Sequence, residues 1–189
     1  MPPAQGGGAG RRHISRRGRQ RSTVGALFVI VFAFTAQARV FMTQPQALAS
    51  AFPAGTKVTR EVVFLTPQQI DAARKESGVD VTDKMIVRYV SAAGVAYFDT
   101  HRVRTLPETV MIVVTPDGRI DRIEILSFDE PPEYLPKPRW IEQFRKRKLD
   151  EDLSTKRAIR PLSGATLSGR AITNASRKIL ALHRAIGVK

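Results

Sequence analysis

The 189-residue chain contains no cysteine. That absence removes disulfides, thiolate nucleophiles, cysteine-held iron–sulfur clusters and thioether-linked haem together. Histidine is almost as scarce: His13, His101 and His183 lie far apart, at no spacing that suggests a zinc site, and they read as solvated or internally satisfied side chains. No paired acid and base stands out, so no catalytic residue is assigned. Acidic residues are missing entirely before Glu61, whereas Arg11, Arg12, Arg16, Arg17, Arg19 and Arg21 all precede residue 22. Removing those six from the net +14 leaves +8 for the chain from Arg39 onward. Such a body attracts anions, but its basic residues are scattered among carboxylates, with no reader helix or stacking platform, so nucleic acid is not an expected partner.

What is present begins with a three-part leader. A Pro/Gly/Ala tail (residues 1–10) is followed by the arginine block and then by an apolar run from Val24 to Thr35. This is the plan of an export signal, and Ala36-Gln37-Ala38 supplies a small-x-small cleavage pattern ahead of Arg39. Left uncut, the stretch from Val24 to Met42 is interrupted by Gln37 and Arg39 and only approaches the roughly 20 apolar residues of a membrane span. The expectation is an export signal or N-terminal membrane anchor over residues 1–38, with the body in the periplasm or cell envelope. Ser15-Arg16-Arg17 is a weak twin-arginine signal, because Gly18-Arg19-Gln20 lacks the hydrophobic positions that should follow.

The body reads as α+β. Thr43-Gln44-Pro45-Gln46 and Thr66-Pro67-Gln68-Gln69 each place a threonine three residues before a glutamine and predict helix starts, the second helix running to about Ser77 and stopping at Gly78. Between them Lys57 to Leu65 reads as a strand. Met85 to Ser91 with Val95 to Asp99, and Thr109 to Thr115 with Arg119 to Phe128, read as hairpins around Ala92-Ala93-Gly94 and Pro116-Asp117-Gly118. The result is an antiparallel twisted sheet, one face of which the short N-terminal helices and a C-terminal amphipathic helix can cover. Residues 39–83 form its helix–strand–helix opening, and residues 84–189 the main domain. Asp129 to Arg139, with four prolines, reads as an extended connector, and its Glu130 and Glu133 as solvated carboxylates. In the helical Trp140 to Phe144 segment, the sole tryptophan and Phe144 are four apart and share a face. Arg145 to Lys148 is a basic run.

In the last helix Leu167, Ala171, Ala175, Ile179, Leu182 and Ile186 recur at helical spacing, with Arg170, Arg177, Lys178 and Arg184 on other faces. Ser163-Gly164-Ala165-Thr166-Leu167-Ser168 opens it. A helix start carries unpaired N–H groups and the positive end of the dipole, and Gly164 and Ala165 let the backbone approach a ligand, which suits a phosphate; read alone, the same residues also make an ordinary helix cap.

That hexapeptide, followed by Arg170-Ala171-Ile172-Thr173, resembles the flavinylation motif of the FMN-binding domain family, whose members include subunits of the sodium-translocating NADH:quinone oxidoreductase and the Rnf electron-transport complex. The resemblance extends over roughly Lys84 to Ala185 through Ile123 to Leu126, through Asp129-Glu130-Pro131-Pro132 in place of a Glu-Thr-Pro loop, and through Trp140-Ile141-Glu142-Gln143-Phe144 as Trp-x-x-Gln-Phe. It implies FMN attached to Thr166 by a phosphoester that a separate flavin transferase makes from FAD with magnesium. Ser163, Gly164, Ala165, Leu167 and Ser168 would cradle the phosphate, with Glu130 and Trp140 also at the cofactor. Two departures mark the match. Arg160 stands where an acidic residue is common, and Pro132-Glu133-Tyr134 replaces glycines, leaving Tyr134 or Trp140 to stack on the ring. The implied function is an electron carrier between membrane redox partners and an extracytoplasmic acceptor, rather than an enzyme with its own substrate. Two alternatives stay open: an unflavinylated sensory or assembly module on the same fold, and a basic exported binding protein for anionic polymers or lipid headgroups.

Overall fold

The computed structural model describes residues 39–187, so the expected leader, and His13 within it, lie outside the described residues. Both capping boxes form. Thr43 and Gln46 exchange hydrogen bonds at the start of α1 (Gln44–Ala51), and Thr66 and Gln69 do so at the start of α2 (Pro67–Ser77). Helix α2 stops at Gly78, whose φ of 65° lies in the left-handed region that glycine enters without steric cost. Two elements the family resemblance did not reach therefore obey local chemistry alone.

Six strands form one antiparallel sheet in the order β1-β6-β5-β4-β3-β2. They are β1 (Arg39–Val40), β2 (Thr59–Phe64), β3 (Met85–Ser91), β4 (Gly94–Arg102), β5 (Pro107–Val114) and β6 (Ile120–Phe128). Strand β4 runs three residues past the expected Asp99, because its pairing with β5 continues from Val95↔Val114 to Arg102↔Pro107. Strands β3 and β4 pair only from Arg88↔Tyr97 to Ser91↔Gly94, so the sheet forks beyond Arg88.

Helix α4 (Thr166–Ile186) lies on one face of the sheet. There Ile172, Ala175, Ile179 and Leu182 join Tyr97, Val110, Ile112 and Ile123 in the larger core cluster. The Tyr97 hydroxyl and His183 Nδ1, 2.9 Å apart, tie β4 to α4 in the same layer. Burial, with Arg88 and Arg184 adding their charge, pushes His183 down to about 4. The opposite face is also covered: α1 and Phe52 pack on Ala96, Met111, Val113 and Leu126. This corrects the expectation of helices on a single face. Val110 to Val114 is apolar and buried without alternation, so both sides of β5 need cover. The proline-rich connector is likewise not extended throughout. Pro132–Tyr134 forms a 3-10 turn and α3 (Pro138–Ile141) begins on a proline, as a fixed φ near −65° allows. Among the described residues no helix is long and apolar enough to cross a membrane.

Gly94, at φ 145°, brings the β3–β4 turn against β5, and a Cβ there would lie 2.5 Å from the Val114 carbonyl oxygen. Gly94→Ala is expected to destabilise the fold by more than about 2 kcal/mol, against about 1 kcal/mol for the cap variant Thr66→Ala. Equal denaturation midpoints for the two variants would contradict this packing.

Candidate functional site

Helix α4 begins without help from any side chain. Its N-cap residue is Ala165, which has no side-chain oxygen, and neither Ser163 nor Thr166 caps it. The first intrahelical bond runs from Gly169 N–H to the Ala165 carbonyl (3.1 Å), which leaves the N–H groups of Thr166, Leu167 and Ser168 ahead of the helical ladder. The Ala165 N–H is already spent on the Leu162 carbonyl (3.1 Å), so the expected cradle shrinks by one donor. Gly164, at φ 78°, turns the chain into the helix, and Ser163, Gly164, Thr166 and Leu167 are all exposed.

Gly164, Ala165, Thr166 and Leu167 form one wall of a cavity of about 270 Å³, and Val103, Arg104, Glu130 and Tyr134 complete it; Ser163, expected in the cradle, does not line it. Ser168 reaches the cavity from the core side, 1% exposed, and its hydroxyl has no hydrogen-bond partner. A buried hydroxyl without a partner is costly. Three free backbone donors and a lone hydroxyl donor, all at the positive end of a 21-residue helix, match the oxygens of a phosphate. Leu167, 43% exposed, adds an apolar surface at the same mouth. The donor set thus suits a phosphate-bearing group with an apolar body.

Glu130 is not the solvated carboxylate its proline-rich context suggested. It is 5% exposed, and its Oε1 accepts hydrogen bonds from the N–H groups of Thr105 (2.7 Å), Leu106 (2.8 Å) and Arg104 (3.2 Å). Burial by itself raises a carboxyl group, but these backbone donors outweigh it and hold Glu130 below the usual glutamate range. The carboxylate fixes the β4–β5 turn, and with it Val103 and Arg104, against the start of α4. Glu133 remains exposed.

Trp140 lies behind the hexapeptide and is not among the cavity-lining residues. Its Nε1 donates to the Arg160 carbonyl (2.8 Å), while Gln143 Oε1 accepts from the Arg160 N–H (2.8 Å). Residue 160 is therefore gripped through both of its backbone groups, and its side chain takes no part in the grip. The Trp140 ring also packs edge-on against the fully buried Phe144, with centroids 5.3 Å apart, and close over Gly169, where a Cβ would come within 3.2 Å of Cζ2. Trp-x-x-Gln-Phe is thus the backing plate of the loop that leads into α4. Tyr134, not Trp140, faces the cavity. Gln143 also builds the site, through a side-chain amide that meets a backbone 17 residues away; its place in Trp-x-x-Gln-Phe is the one sequence signal of that contact.

The basic face read along α4 is partly internal. The Arg177 guanidinium donates to the carbonyls of Ser77 (2.6 Å), Asp150 (2.7 Å) and Leu153 (3.1 Å), and Lys178 pairs with Asp99 at 2.5 Å. Arg147 donates to the Gln143 carbonyl (3.1 Å), so the basic run 145–148 is not wholly a solvated face either. Among the described residues no group of His, Asp and Glu is placed to hold a metal ion.

Residues 106–181 match a family model described as the FMN-binding domain. No curated protein and no solved structure matches the chain.

Glu130→Ala, which strands three backbone donors, is expected to cost about 2 kcal/mol. Because the folded-state carboxyl titrates below the unfolded one, the Glu130 contribution is present above the unfolded pKa and is lost as pH falls through the folded value. Denaturant titrations of wild type and variant should therefore converge in acid. A gap that persisted undiminished there would contradict the ionised role.

Proposed function

From the match of residues 106–181 to the FMN-binding domain, we propose that this chain is an exported flavoprotein bearing FMN on Thr166 through a phosphoester. The observation that carries this reading is the uncapped start of α4: an exposed threonine at its first position, three N–H groups ahead of the helical ladder, and a buried, unpartnered hydroxyl on Ser168, a residue that lines the same cavity. Bound there, the flavin supplies one- and two-electron redox chemistry, and the protein supplies position and electrostatic tuning.

The chain's own residues divide the work. Thr166 offers the attachment oxygen, and its exposure leaves that oxygen reachable by another enzyme. No base accompanies it in the cavity wall apart from Glu130, whose Oε1 is committed to the β4–β5 turn. A threonine hydroxyl needs activation, so a separate flavin transferase must provide it. The bond from Thr166 Oγ1 to phosphorus forms as the pyrophosphate link of FAD breaks; AMP departs, and the hydroxyl proton passes to a base on the transferase. Ser168 and the N–H groups of Thr166, Leu167 and Ser168 would hold the phosphate, with Tyr134 and Leu167 available to the ring. Arg160 serves through its backbone, so the absence of an acidic side chain there leaves the loop intact. Electrons pass between membrane redox partners and an extracytoplasmic acceptor. The basic-polymer alternative is the weaker reading, because Arg177 and Lys178 are spent on internal contacts.

Co-expression with a flavin transferase in exporting cells tests the proposal. The wild-type chain and Thr166→Ser should keep a fluorescent band after denaturing electrophoresis, with a mass increment of one FMN less water, and Thr166→Ala should lose both. An adduct that survives Thr166→Ala, or a wild type with none, would overturn it.

A further inference from the structure

A chain of charged groups, partly buried at Asp83, Lys178 and His101 and buried at Asp99 and Glu108, leads to the β4–β5 turn, and the function above makes no use of it. Asp83 Oδ2 lies 3.4 Å from Lys178 Nζ, which lies 2.5 Å from Asp99 Oδ1. Asp99 Oδ2 lies 2.9 Å from His101 Nδ1, and His101 Nε2 lies 3.0 Å from Glu108 Oε2. Glu108 is 0% exposed, and its Oε1 has no partner. The Lys178 end opens on a cavity of about 350 Å³ at the fork between β3 and β4. The Glu108 end closes the hairpin: His101↔Glu108 is the last pair but one before the turn that walls the flavin cavity. That turn is held at its tip by Glu130 and at its base by His101.

Both ring nitrogens of His101 face carboxylate oxygens. An ionised carboxylate only accepts, and a neutral imidazole has a single N–H, so a neutral ring would set a lone pair against one of the two carboxylates. We propose that His101, held as an imidazolium between Asp99 and Glu108, is a positioning residue whose proton fixes the β4–β5 turn against the flavin cavity. The charged groups around it agree. Burial alone lowers a histidine, but the bonds to Asp99 and Glu108 reverse this and push His101 up to about 9. Burial pushes Glu108 up, while His101 and Lys178 together hold Asp99 down against its own burial. A raised folded-state value means that the clamp is complete below the unfolded histidine pKa and fails as pH rises through the folded one. Proton loss leaves the ring one N–H for two carboxylates; Asp99 keeps Lys178, whereas Glu108 has no donor but this ring and one oxygen already without a partner, so the hairpin base is weakened. By linkage, negative charge in the cavity raises the proton affinity of His101, and the protonated ring favours that charge in return. The part that concerns the cavity's occupant rests on the flavin reading above; the clamp itself does not.

Ring-labelled histidine in the full chain, with magnetisation-transfer exchange rates for the amides of Arg104, Thr105 and Leu106, tests the assignment. His101 should titrate near 9, and the three amides should lose about tenfold or more of their protection, beyond the intrinsic pH effect, as the ring loses its proton. Glu108→Gln should lower the His101 titration and carry the release of the turn down with it; His101→Gln should release the turn at every pH. A ring titrating near the ordinary value of about 6.5, or amides indifferent to it, overturns the clamp. In flavin-loaded chain the titration should lie above that of Thr166→Ala, and equal values would cut the link to the cavity. Fluorescence of the same samples reports separately whether flavin is attached, and the exchange rates judge the clamp in either case.

Discussion

The first turn of an α-helix cannot satisfy its own N–H groups, and where those of α4 find partners governs the rest of the site. Most helices solve the problem with a side-chain oxygen at the N-cap, as Thr43 and Thr66 do for α1 and α2. Helix α4 has Ala165 in that place, and its hydroxyl residues flank the cap without reaching it. The start of this helix is held from outside instead, by Trp140 and Gln143 on the backbone of residue 160 and by the packing of Ile172, Ala175, Ile179 and Leu182 on the sheet. Donors that the fold declines to satisfy are thereby kept in a fixed position for a ligand that can.

Two buried glutamates serve this arrangement in opposite ways. Glu130 stays ionised because three backbone N–H groups converge on one oxygen, so its charge is stabilised without a counter-cation. Glu108 depends on His101 alone and keeps one oxygen unpartnered, which makes its surroundings sensitive to a single proton. Between them they hold the four-residue turn from Val103 to Leu106 at tip and base. The cavity opposite α4 is therefore shaped by electrostatics as much as by apolar packing.

Much of this was legible in the residues because it is governed locally. The capping boxes at Thr43 and Thr66, the stop at Gly78 and the Pro-Asp-Gly turn all form where their side chains predict. The hexapeptide opens α4 as expected, though Leu167 faces the cavity mouth and not the core. What escaped the sequence depends on contacts between distant segments. Glu130 sits among prolines and looks solvated until the β4–β5 turn, some 25 residues earlier, is folded over it. Asp99, His101, Glu108 and Lys178 come from two strands and a helix, and only the sheet register brings them together. Trp140 carried the family resemblance, but its bond to the Arg160 carbonyl, 20 residues on, was not legible in the sequence.

The central claim concerns one oxygen atom. Fragment-ion mass spectrometry of the proteolytic peptide spanning residues 161–170, taken from chain matured with a flavin transferase, locates the adduct directly. The account predicts the entire FMN increment on Thr166, with Ser163 and Ser168 unmodified. An increment on either serine, or an unmodified peptide from flavin-bearing protein, would contradict it.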